Sequence, residues 1–372
     1  MSLLCAALVL FIWGLLVVGA LHEGNRFRLP VAGPDDLPPG DAPGIAIVLP
    51  ARNEAHQIAF CVDSLRRQTL APNEIVILDD CSTDGTASVV RQLEKRGVPV
   101  RLVEGTEPPA GWIGKNHAIV QAMNHARGSW VLFTDADTRH APETLASAYT
   151  YALRTRSALV SLTGHQEAKG VWEKIIQPLV FRLLDAIYPL SGANGGDPKR
   201  AAANGTYMLV RRDAYDAVGG HAAVRGEVLE DVAIAQAIAG AGYRASFLRG
   251  EHLLRVRMYQ SSGSLWEGWT KNLWPLLGRN GRRTAMVTAA VLMAGAIPAA
   301  MLWYDGAAAW AAAAGAVGAE AWFRARSGSG PAWAISLPLG ALLLAAMIVE
   351  SARRHLSSRG ISWKGRTYPL LP

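Results

Sequence analysis

The chain has 372 residues, of which 50% are hydrophobic, and a formal net charge of +7. This length is sufficient to bury a substantial core. The basic residues cluster beside apolar segments, at residues 26–28, 279–283 and 353–366. Because this distribution is typical of attraction to anionic lipid headgroups, we expect a membrane partner and no nucleic acid. Cys5, Cys61 and Cys81 lack paired or metal-ligand spacing, which predicts reduced packing residues.

The first apolar segment, Leu3 to Leu21, contains no charged residue and is long enough to cross a bilayer. A signal peptide is the alternative, but the segment lacks a basic n-region and an A-x-A cleavage site. We therefore predict an uncleaved anchor over residues 1–22. Residues 23–43 follow as a linker that is rich in Pro, Gly and Asp.

In the first half of residues 44–280, strand patterns and helix patterns alternate, whereas the second half departs from simple alternation. This alternation predicts an α/β fold with a mostly parallel sheet and helices on both faces. Three predicted strands, Gly44 to Leu49, Glu74 to Leu78 and Trp130 to Thr134, end in polar side chains. Ligands in open α/β sheets bind beyond the carboxyl ends of the strands. We therefore expect one site at this edge of the sheet.

The most informative motif is Asp135-Ala136-Asp137, a D-x-D triplet directly after a buried strand. Two divergent carboxylates at a strand end are suited to hold a divalent cation, Mg²⁺ or Mn²⁺, against a diphosphate. Lys115 begins a predicted helix whose N-terminus favours anionic groups. Glu230 and Asp231 open another helix, where an acidic pair also stabilises the helix dipole without any catalytic role.

Four blocks occur in a fixed order: Pro50 to Glu54, Asp79-Asp80, the D-x-D triplet and Glu230-Asp231. Together they resemble the family 2 glycosyltransferases with a GT-A fold, and the resemblance spans Ile45 to Lys271. The P-x-G-W-x-G-K pattern that ends at Lys115 is similar to a narrower set, the hopene-associated (hopanoid) and carotenoid-type glycosyltransferases.

The resemblance implies a role for each block. It implies that the metal is bound directly by Asp137, with Asp135 contacting ribose or the metal through water. It implies that Asp231 is the catalytic base and that Glu230 orients the base or the acceptor. The residues expected to bind the nucleotide sugar, a UDP-sugar by this resemblance, are Pro50, Arg52, Glu54, Asp79, Asp80, Lys115 and Asp135. The residues expected on the acceptor side are Gly219, Gly220, His221, Trp266 and Trp269.

Two segments carry tryptophan-rich apolar faces, Val171 to Leu190 and Leu265 to Leu277. Each is interpreted as a helix that either packs on the sheet or lies in the membrane interface, and we expect the second arrangement to deliver a lipid acceptor to the base.

The C-terminal region, residues 281–352, contains three further apolar segments: Ala285 to Tyr304, Ala307 to Phe323 and Ala332 to Ile348. They predict two or three spanning helices, because Glu320 makes the middle segment costly to insert. A basic tail follows over residues 353–372. The charge distribution predicts a multi-pass protein of the inner (plasma) membrane with its globular domain in the cytoplasm.

We therefore expect an inverting, metal-dependent hexosyltransferase that moves one sugar from a nucleotide donor to a hydroxyl of a lipid, and the resemblance alone implies that this lipid is of the polyisoprenoid type. The Q-x-x-R-W pattern of processive synthases is absent after Gln260, which favours the addition of a single sugar. The alternatives are a polyprenyl-phosphate sugar transferase, whose phosphate acceptor needs no base, a nucleotidyltransferase, a non-catalytic sugar-nucleotide-binding membrane scaffold and a transporter.

Overall fold

A computed structural model describes residues 2–24, 26–36, 44–303, 306–357 and 361–368. The described strands are β1 (Ile45–Ala51), β2 (Glu74–Asp79), β3 (Val100–Glu104), β4 (Trp130–Thr134), β5 (Thr138–His140), β6 (Ser157–Thr163), β7 (His165–Gln166), β8 (Tyr207–Arg211), β9 (Arg244–Arg249), β10 (Leu254–Val256), β11 (Ile361–Trp363) and β12 (Arg366–Tyr368). The described α-helices are α1 (Ser2–Glu23), α2 (Ile58–Arg66), α3 (Thr86–Lys95), α4 (Gly114–Met123), α5 (Thr144–Thr155), α6 (Val171–Ile187), α7 (Leu190–Ala193), α8 (Arg212–Ala217), α9 (Gly220–Ala223), α10 (Glu230–Gly240), α11 (Ser262–Leu276), α12 (Gly281–Gly295), α13 (Ile297–Met301), α14 (Ala307–Ser327) and α15 (Leu337–Leu356).

The main sheet has seven strands in the order β3-β2-β1-β4-β8-β6-β9. Only β8 runs antiparallel to its neighbours, so the sheet is mostly parallel, as predicted. A smaller sheet of β5, β10 and β7 lies beside it. The strand order reverses between β1 and β4, which makes this position the switch point at which α/β sheets bind ligands.

The central strands are continuous apolar runs because both faces of the sheet are covered. Alternate side chains of β1 point to opposite faces: Ile45, Ile47 and Leu49 pack with α2, α3 and α5, whereas Ala46 and Val48 pack with α4, α8 and α10. The sequence-predicted α/β domain is therefore a three-layer structure with a core on each face of the sheet.

A helical cluster forms a third core outside the sheet. It combines buried side chains of α1, α6, α11, α14 and α15. Within the described residues, two segments are long and apolar enough to cross a membrane, Leu3–Glu23 and Pro331–Leu356.

Of the two or three spanning helices predicted for the C-terminal region, one, within Pro331–Leu356, meets this criterion among the described residues. Ala285 to Tyr304 was expected as one span, but α12 ends at Gly295 and α13 begins at Ile297, with Pro298 in its first turn. Ala307 to Phe323 does form part of α14, yet this helix buries a charged pair and does not qualify as a span.

The charged pair in α14 explains how Glu320 is accommodated. Its carboxylate binds the guanidinium groups of Arg324, on the same helix, and Arg182, on α6. Arg324 also donates from Nη1 to the carbonyl oxygen of Lys174 at 2.7 Å, and Arg182 lies 4.4 Å from the ring centre of Phe323. Because two cations and further hydrogen bonds satisfy the buried carboxylate, Glu320 joins α14 to α6.

The two tryptophan-rich segments form α6 and α11, and one expectation about them requires correction. Trp269 is only 2% exposed, and its ring lies 5.7 Å from Phe181 and 5.8 Å from Tyr259. Trp269 is therefore a core residue rather than part of an exposed apolar face. Trp266, on the same helix, remains partly exposed.

The predicted linker, residues 23–43, and the predicted basic tail, residues 353–372, both contain regular secondary structure within the described residues. In the predicted linker, residues 34–36 form a 3-10 helix, while residues 37–43 lie outside the described part. The predicted basic tail begins within α15, which continues to Leu356, and residues 361–368 then form an antiparallel hairpin of β11 and β12.

Candidate active site

The site lies at the carboxyl ends of β1, β2 and β4. These three strands are adjacent and parallel, so the residues that follow them meet at one edge of the sheet. The edge receives Pro50 to Glu54 from β1, Asp79 and Asp80 from β2, and the D-x-D triplet from β4. The fold thus brings these blocks together, as the sequence predicts.

Lys115 links the two acidic parts of the site. It lies in the first turn of α4, and its Nζ is 2.9 Å from Asp135 Oδ1 and 2.9 Å from Glu230 Oε1. The ammonium is partly exposed, with 32% of its side chain accessible, whereas Glu230 is buried. Lys115 holds the pKa of Glu230 below its ordinary value against the opposing effect of burial.

Asp231 is held by backbone donors rather than by a cation. Its Oδ2 accepts a hydrogen bond from Gly205 N at 2.8 Å, and its Oδ1 accepts one from Val232 N, also at 2.8 Å. Burial, followed by the neighbouring charge of Glu230, raises the pKa of Asp231 to about 6. A carboxylate with this pKa is largely ionised at neutral pH and is still a useful proton acceptor.

Glycine is required at position 205, because the side chains of Lys115, Glu230 and Asp231 come close to its backbone. A Cβ atom at this position would lie 2.9 Å from Lys115 Nζ, 3.3 Å from Glu230 Oε1 and 3.5 Å from Asp231 Oδ2. The absence of a side chain therefore allows the backbone N–H to reach the carboxylate of Asp231.

Asp137 is the other carboxylate of the D-x-D triplet. Its Oδ1 is buried and has no hydrogen-bond partner in the described part of the chain. Burial, then the charges of Asp135 and Glu54, raise the pKa of Asp137 to about 7. An unpartnered carboxylate oxygen among like charges favours a cation as its ligand. Together with the half-exposed Asp135, it fits a hard divalent metal.

Four of the residues predicted to bind the nucleotide, Arg52, Glu54, Asp79 and Asp80, lie after β1 and β2. Arg52 donates from Nη1 to the carbonyl oxygens of Asp80, at 2.6 Å, and Cys81, at 3.1 Å. Asp79 Oδ2 accepts from the N–H of Ser82 at 3.2 Å. Asp79 therefore shapes the turn after β2, which is the alternative role that turn residues of this type commonly have.

Pro50 contributes to a narrow crevice beside Lys115 and Glu230. Its lining residues are Pro50, Lys115, Ile119, Phe133, Thr134, Asp135, Gly205, Met208 and Glu230.

The predicted acceptor residues Gly219, Gly220 and His221 form a packed turn. Both glycines have positive φ, 76° and 54°, and a Cβ on Gly220 would lie 2.5 Å from the ring of Tyr215. His221 is fully buried, and its Nδ1 lies 2.8 Å from the Tyr215 hydroxyl. Burial lowers the pKa of His221 to about 4, so the ring is neutral at neutral pH. These contacts are structural, and no acceptor role follows from them.

Three basic residues at the site were not assigned there from the sequence. Lys271 on α11 lies close enough to Glu230, Asp135 and Asp231 for their charges to affect its titration, and burial lowers its pKa to about 8. Lys364 contacts Glu54, and Arg366 contacts Asp80. The only sequence signal for the last two was Lys364-Gly365, a turn dipeptide between short alternating segments.

Comparison with known proteins identifies the domain. Residues 46–219 match Glycosyl transferase family 2. The chain is 31% identical over 255 residues to 4,4'-diaponeurosporenoate glycosyltransferase of Staphylococcus aureus (strain USA300), covering 67% of this chain and 65% of the relative. The protein of the same name from strain MRSA252 is 29% identical over the same coverage. The matched region thus spans less than two thirds of these relatives.

A solved structure has the same fold. A mannosyltransferase from Pyrobaculum calidifontis, in complex with GDP-Man and Mn²⁺, superposes with a TM-score of 0.60, covering 92% of this chain and 99% of that chain. Its sequence identity is 22%, so the likeness concerns the fold. With the family match and the edge-of-sheet site, it follows that the chain carries a glycosyltransferase family 2 domain with a GT-A-like α/β fold.

Proposed function

We propose that the protein is a glycosyltransferase that moves one sugar from a nucleotide sugar to a hydroxyl group of a lipid at a membrane. The observation that carries this proposal is the position of Lys115, 2.9 Å from both Asp135 and Glu230. Lys115 thereby connects Asp135, the carboxylate expected to contact the donor, to α10, the helix that carries the expected base. The residues proposed for donor binding and for activation of the acceptor therefore lie in one site.

The proposed reaction is a single displacement with inversion. The acceptor hydroxyl attacks the anomeric carbon, its proton passes to Asp231, and the bond to the nucleoside diphosphate breaks. Asp231 suits this role because Gly205 N and Val232 N fix its carboxylate while burial raises its pKa to about 6. Glu230, held by Lys115, keeps a second negative charge beside it.

A divalent metal, Mg²⁺ or Mn²⁺, is proposed as cofactor, with Asp137 as direct ligand and Asp135 beside it. No group of three or more His, Cys, Asp or Glu among the described residues is arranged to enclose a metal ion. Two carboxylates suffice, because such metals keep waters and take their other ligands from the substrate's phosphates. The metal would stabilise the departing diphosphate as a Lewis acid.

The lipid acceptor is supported by an apolar groove. It has a volume of about 500 Å³, and its lining residues come from α11, α12 and α15: Trp266, Thr288, Leu292, Leu342, Ala345, Ala346, Val349 and Glu350. Since α11 also carries Lys271, whose titration responds to Asp231, the same helix connects the groove to the proposed base.

A second candidate acceptor is a lipid carboxylate. The relatives from Staphylococcus aureus are named for diaponeurosporenoate, which is a carboxylate. Such an acceptor attacks without losing a proton, as the phosphate of a polyprenyl phosphate also does. Asp231→Asn should therefore abolish transfer to a hydroxyl but spare transfer to a carboxylate or a phosphate.

The proposal is tested by incubating the purified full chain with UDP- and GDP-sugars, Mn²⁺ and lipids that end in a hydroxyl or a carboxylate. Mass spectrometry should detect a lipid carrying one added hexose, and excess chelator should stop its formation. Asp137→Asn should also lose transfer, whereas Asp63→Asn, an exposed carboxylate on α2, should not. Full activity in chelator, or no glycosylated lipid from any donor, would overturn the corresponding part of the proposal.

A further inference from the structure

The C-terminal hairpin lies against the nucleotide side of the site. Strands β11 and β12 pair antiparallel, and the turn between them consists of Lys364 and Gly365. Both residues have positive φ, 46° and 78°, as a type I′ hairpin turn requires. The turn therefore has a defined geometry that presents Lys364 and Arg366 to the residues after β1 and β2.

Lys364 is fixed to the turn after β1 by reciprocal contacts. Its Nζ donates to the carbonyl oxygen of Arg52 at 3.0 Å and pairs with the carboxylate of Glu54. Arg52 Nε donates back to the carbonyl oxygen of Lys364 at 3.1 Å. The lysine side chain remains 29% exposed, so part of it is accessible to solvent and to a ligand.

Arg366 fixes the other side of the hairpin. Its guanidinium pairs with Asp80 and lies 2.9 Å from Glu107 Oε2. The side chains of Arg366 and Asp80 are 9% and 7% exposed, so this pair is nearly buried. A buried, geometrically matched arginine–carboxylate pair holds the hairpin in register with the turn after β2.

The sheet order places Lys364 between the two halves of the donor site. Strand β1 lies between β2 and β4, so the turn after β1, which Lys364 contacts through Arg52 and Glu54, lies between Asp80 and Asp137. The ammonium thus lies between the nucleotide side, marked by Glu54 and Asp80, and the metal side, marked by Asp137. In a nucleotide sugar, the diphosphate connects the nucleoside to the sugar. It must therefore lie between the residues of the nucleotide side and those of the metal side.

We propose that Lys364 is a donor-binding residue whose ammonium binds the diphosphate of the nucleotide sugar, while Arg366 positions the hairpin through Asp80. This inference rests on the proposed function, because it requires a nucleotide-sugar donor. It assigns a binding role to the C-terminal hairpin, which is separate from the main sheet whose edge forms the rest of the donor site.

The test measures binding of nucleoside diphosphates and of the matching nucleosides to the full chain in detergent with Mn²⁺, by calorimetry and by competition. Lys364→Ala should weaken binding of the diphosphate by roughly 10- to 100-fold, the loss expected for one charge-assisted hydrogen bond. Binding of the nucleoside should not change. Lys364→Arg should restore most of the affinity, and Lys95→Ala, an exposed lysine at the end of α3, serves as the matched control.

A second pair of variants separates direct binding from neutralisation of Glu54. If Lys364 only compensates that carboxylate, Lys364→Ala will have no effect when Glu54→Gln is already present. We expect the diphosphate-specific loss to persist in this background. An equal loss for nucleoside and diphosphate, or unchanged or tighter diphosphate binding, would overturn the inference while leaving the proposed function intact. If the parent chain binds no nucleoside diphosphate, the proposed function fails and this inference fails with it.

Discussion

Lys115 balances two carboxylates that belong to different halves of the site. Asp135 follows a strand, whereas Glu230 opens a helix, and the ammonium of Lys115 contacts both. Because Lys115 pairs with Glu230, Asp231 is the acid of the pair that we propose as the proton acceptor. Two neighbouring acids with oppositely shifted pKa values can take different roles.

We predict that transfer to a hydroxyl acceptor depends on the ionisation of Asp231. Since its pKa is raised to about 6, the carboxyl group is protonated at lower pH and cannot serve as base. The single-turnover rate should therefore rise with pH through about 6 and then level off. Asp231→Asn should lose about two to four orders of magnitude in rate.

Donor affinity, measured by calorimetry, provides the control for this prediction. It should be retained in Asp231→Asn, because the amide occupies the same space and the donor-side residues are unchanged. A defect confined to donor affinity would reassign Asp231 to binding. A rate that is flat across the acid range would show that another group accepts the proton.

Gly205 provides a second prediction at the residue scale. Gly205→Ala would place a methyl group 2.9 Å from Lys115 Nζ and should displace it from the two carboxylates. We expect the rate of transfer to fall at least tenfold, with little change in the unfolding midpoint. Gly240→Ala, at the end of α10, is the matched control, because a Cβ there meets no atom within 4 Å. Equal rates for the two variants would contradict the crowding argument.

At the scale of elements, α11 carries two different surfaces. One contains Trp269 and Leu273, which pack in the helical core, and the other presents Trp266 to the apolar groove. Its polar residue Lys271 lies near the acids of the site. A single helix therefore borders the core, the groove and the proposed base.

The two tryptophans should give opposite phenotypes when replaced by serine. Trp269→Ser removes a fully packed ring and should destabilise the fold by about 3–5 kcal/mol, the range for aromatic truncation in a core. Trp266→Ser should leave the unfolding midpoint nearly unchanged but slow glycosylation of long-chain lipids in vesicles, with slow donor hydrolysis retained. If Trp266→Ser glycosylates lipid as fast as the parent, the groove does not hold the acceptor.

The elements differ in how well the sequence predicts them. The strands β1, β2 and β4 were predictable because uninterrupted apolar runs end in polar residues, and local sequence specifies both features. The division of Ala285 to Tyr304 into α12 and α13 was missed, although Pro298 was a local signal for it. The stabilisation of Glu320 by Arg182 was not predictable, because the partners are 138 residues apart. The same holds for Lys364 and Arg366, whose partners come from the other end of the chain.

The sequence also predicted the composition of the site better than its contacts. The D-x-D triplet and the pair Glu230-Asp231 were assigned to one site, and the fold brings them together through Lys115. The basic residue nearest to the triplet in sequence, Arg139, is exposed and lies over the ring of Phe60, whereas the fold brings Lys115 to Asp135 from another element. Charge balance in this site is a property of the tertiary structure.

At the scale of the whole molecule, the helical cluster joins both ends of the chain. Helix α1 packs on α14 through Ala6 and Val9, and Trp13 Nε1 donates to the carbonyl oxygen of Ala294 at 3.0 Å. The opposite face of α1 exposes large apolar side chains: Leu4, Phe11, Leu15 and Val18. A helix with one face packed on protein and the other apolar face exposed is suited to a lipid environment.

We predict that the protein is held in membranes by apolar contact rather than by its positive charge. Concentrated salt screens charges within a few ångströms and should not release the protein from vesicles, whereas detergent should. Replacing Phe11, Leu15 and Val18 together by serine should reduce the fraction retained after a salt wash, because these side chains are 61%, 56% and 63% exposed on α1. Retention should not vanish, since α15 remains.

Phe60→Ser is the matched control for this experiment, because Phe60 is an equally exposed aromatic residue, 59%, but lies on α2 beside the sheet. It should leave retention unchanged. If salt alone strips the parent protein from vesicles that contain anionic lipid, the excess of basic residues beside the apolar segments holds it at the surface and the helices do not insert. In that case the lipid acceptor would have to leave the bilayer to reach Asp231, and the groove beside Trp266 would be its first site of contact.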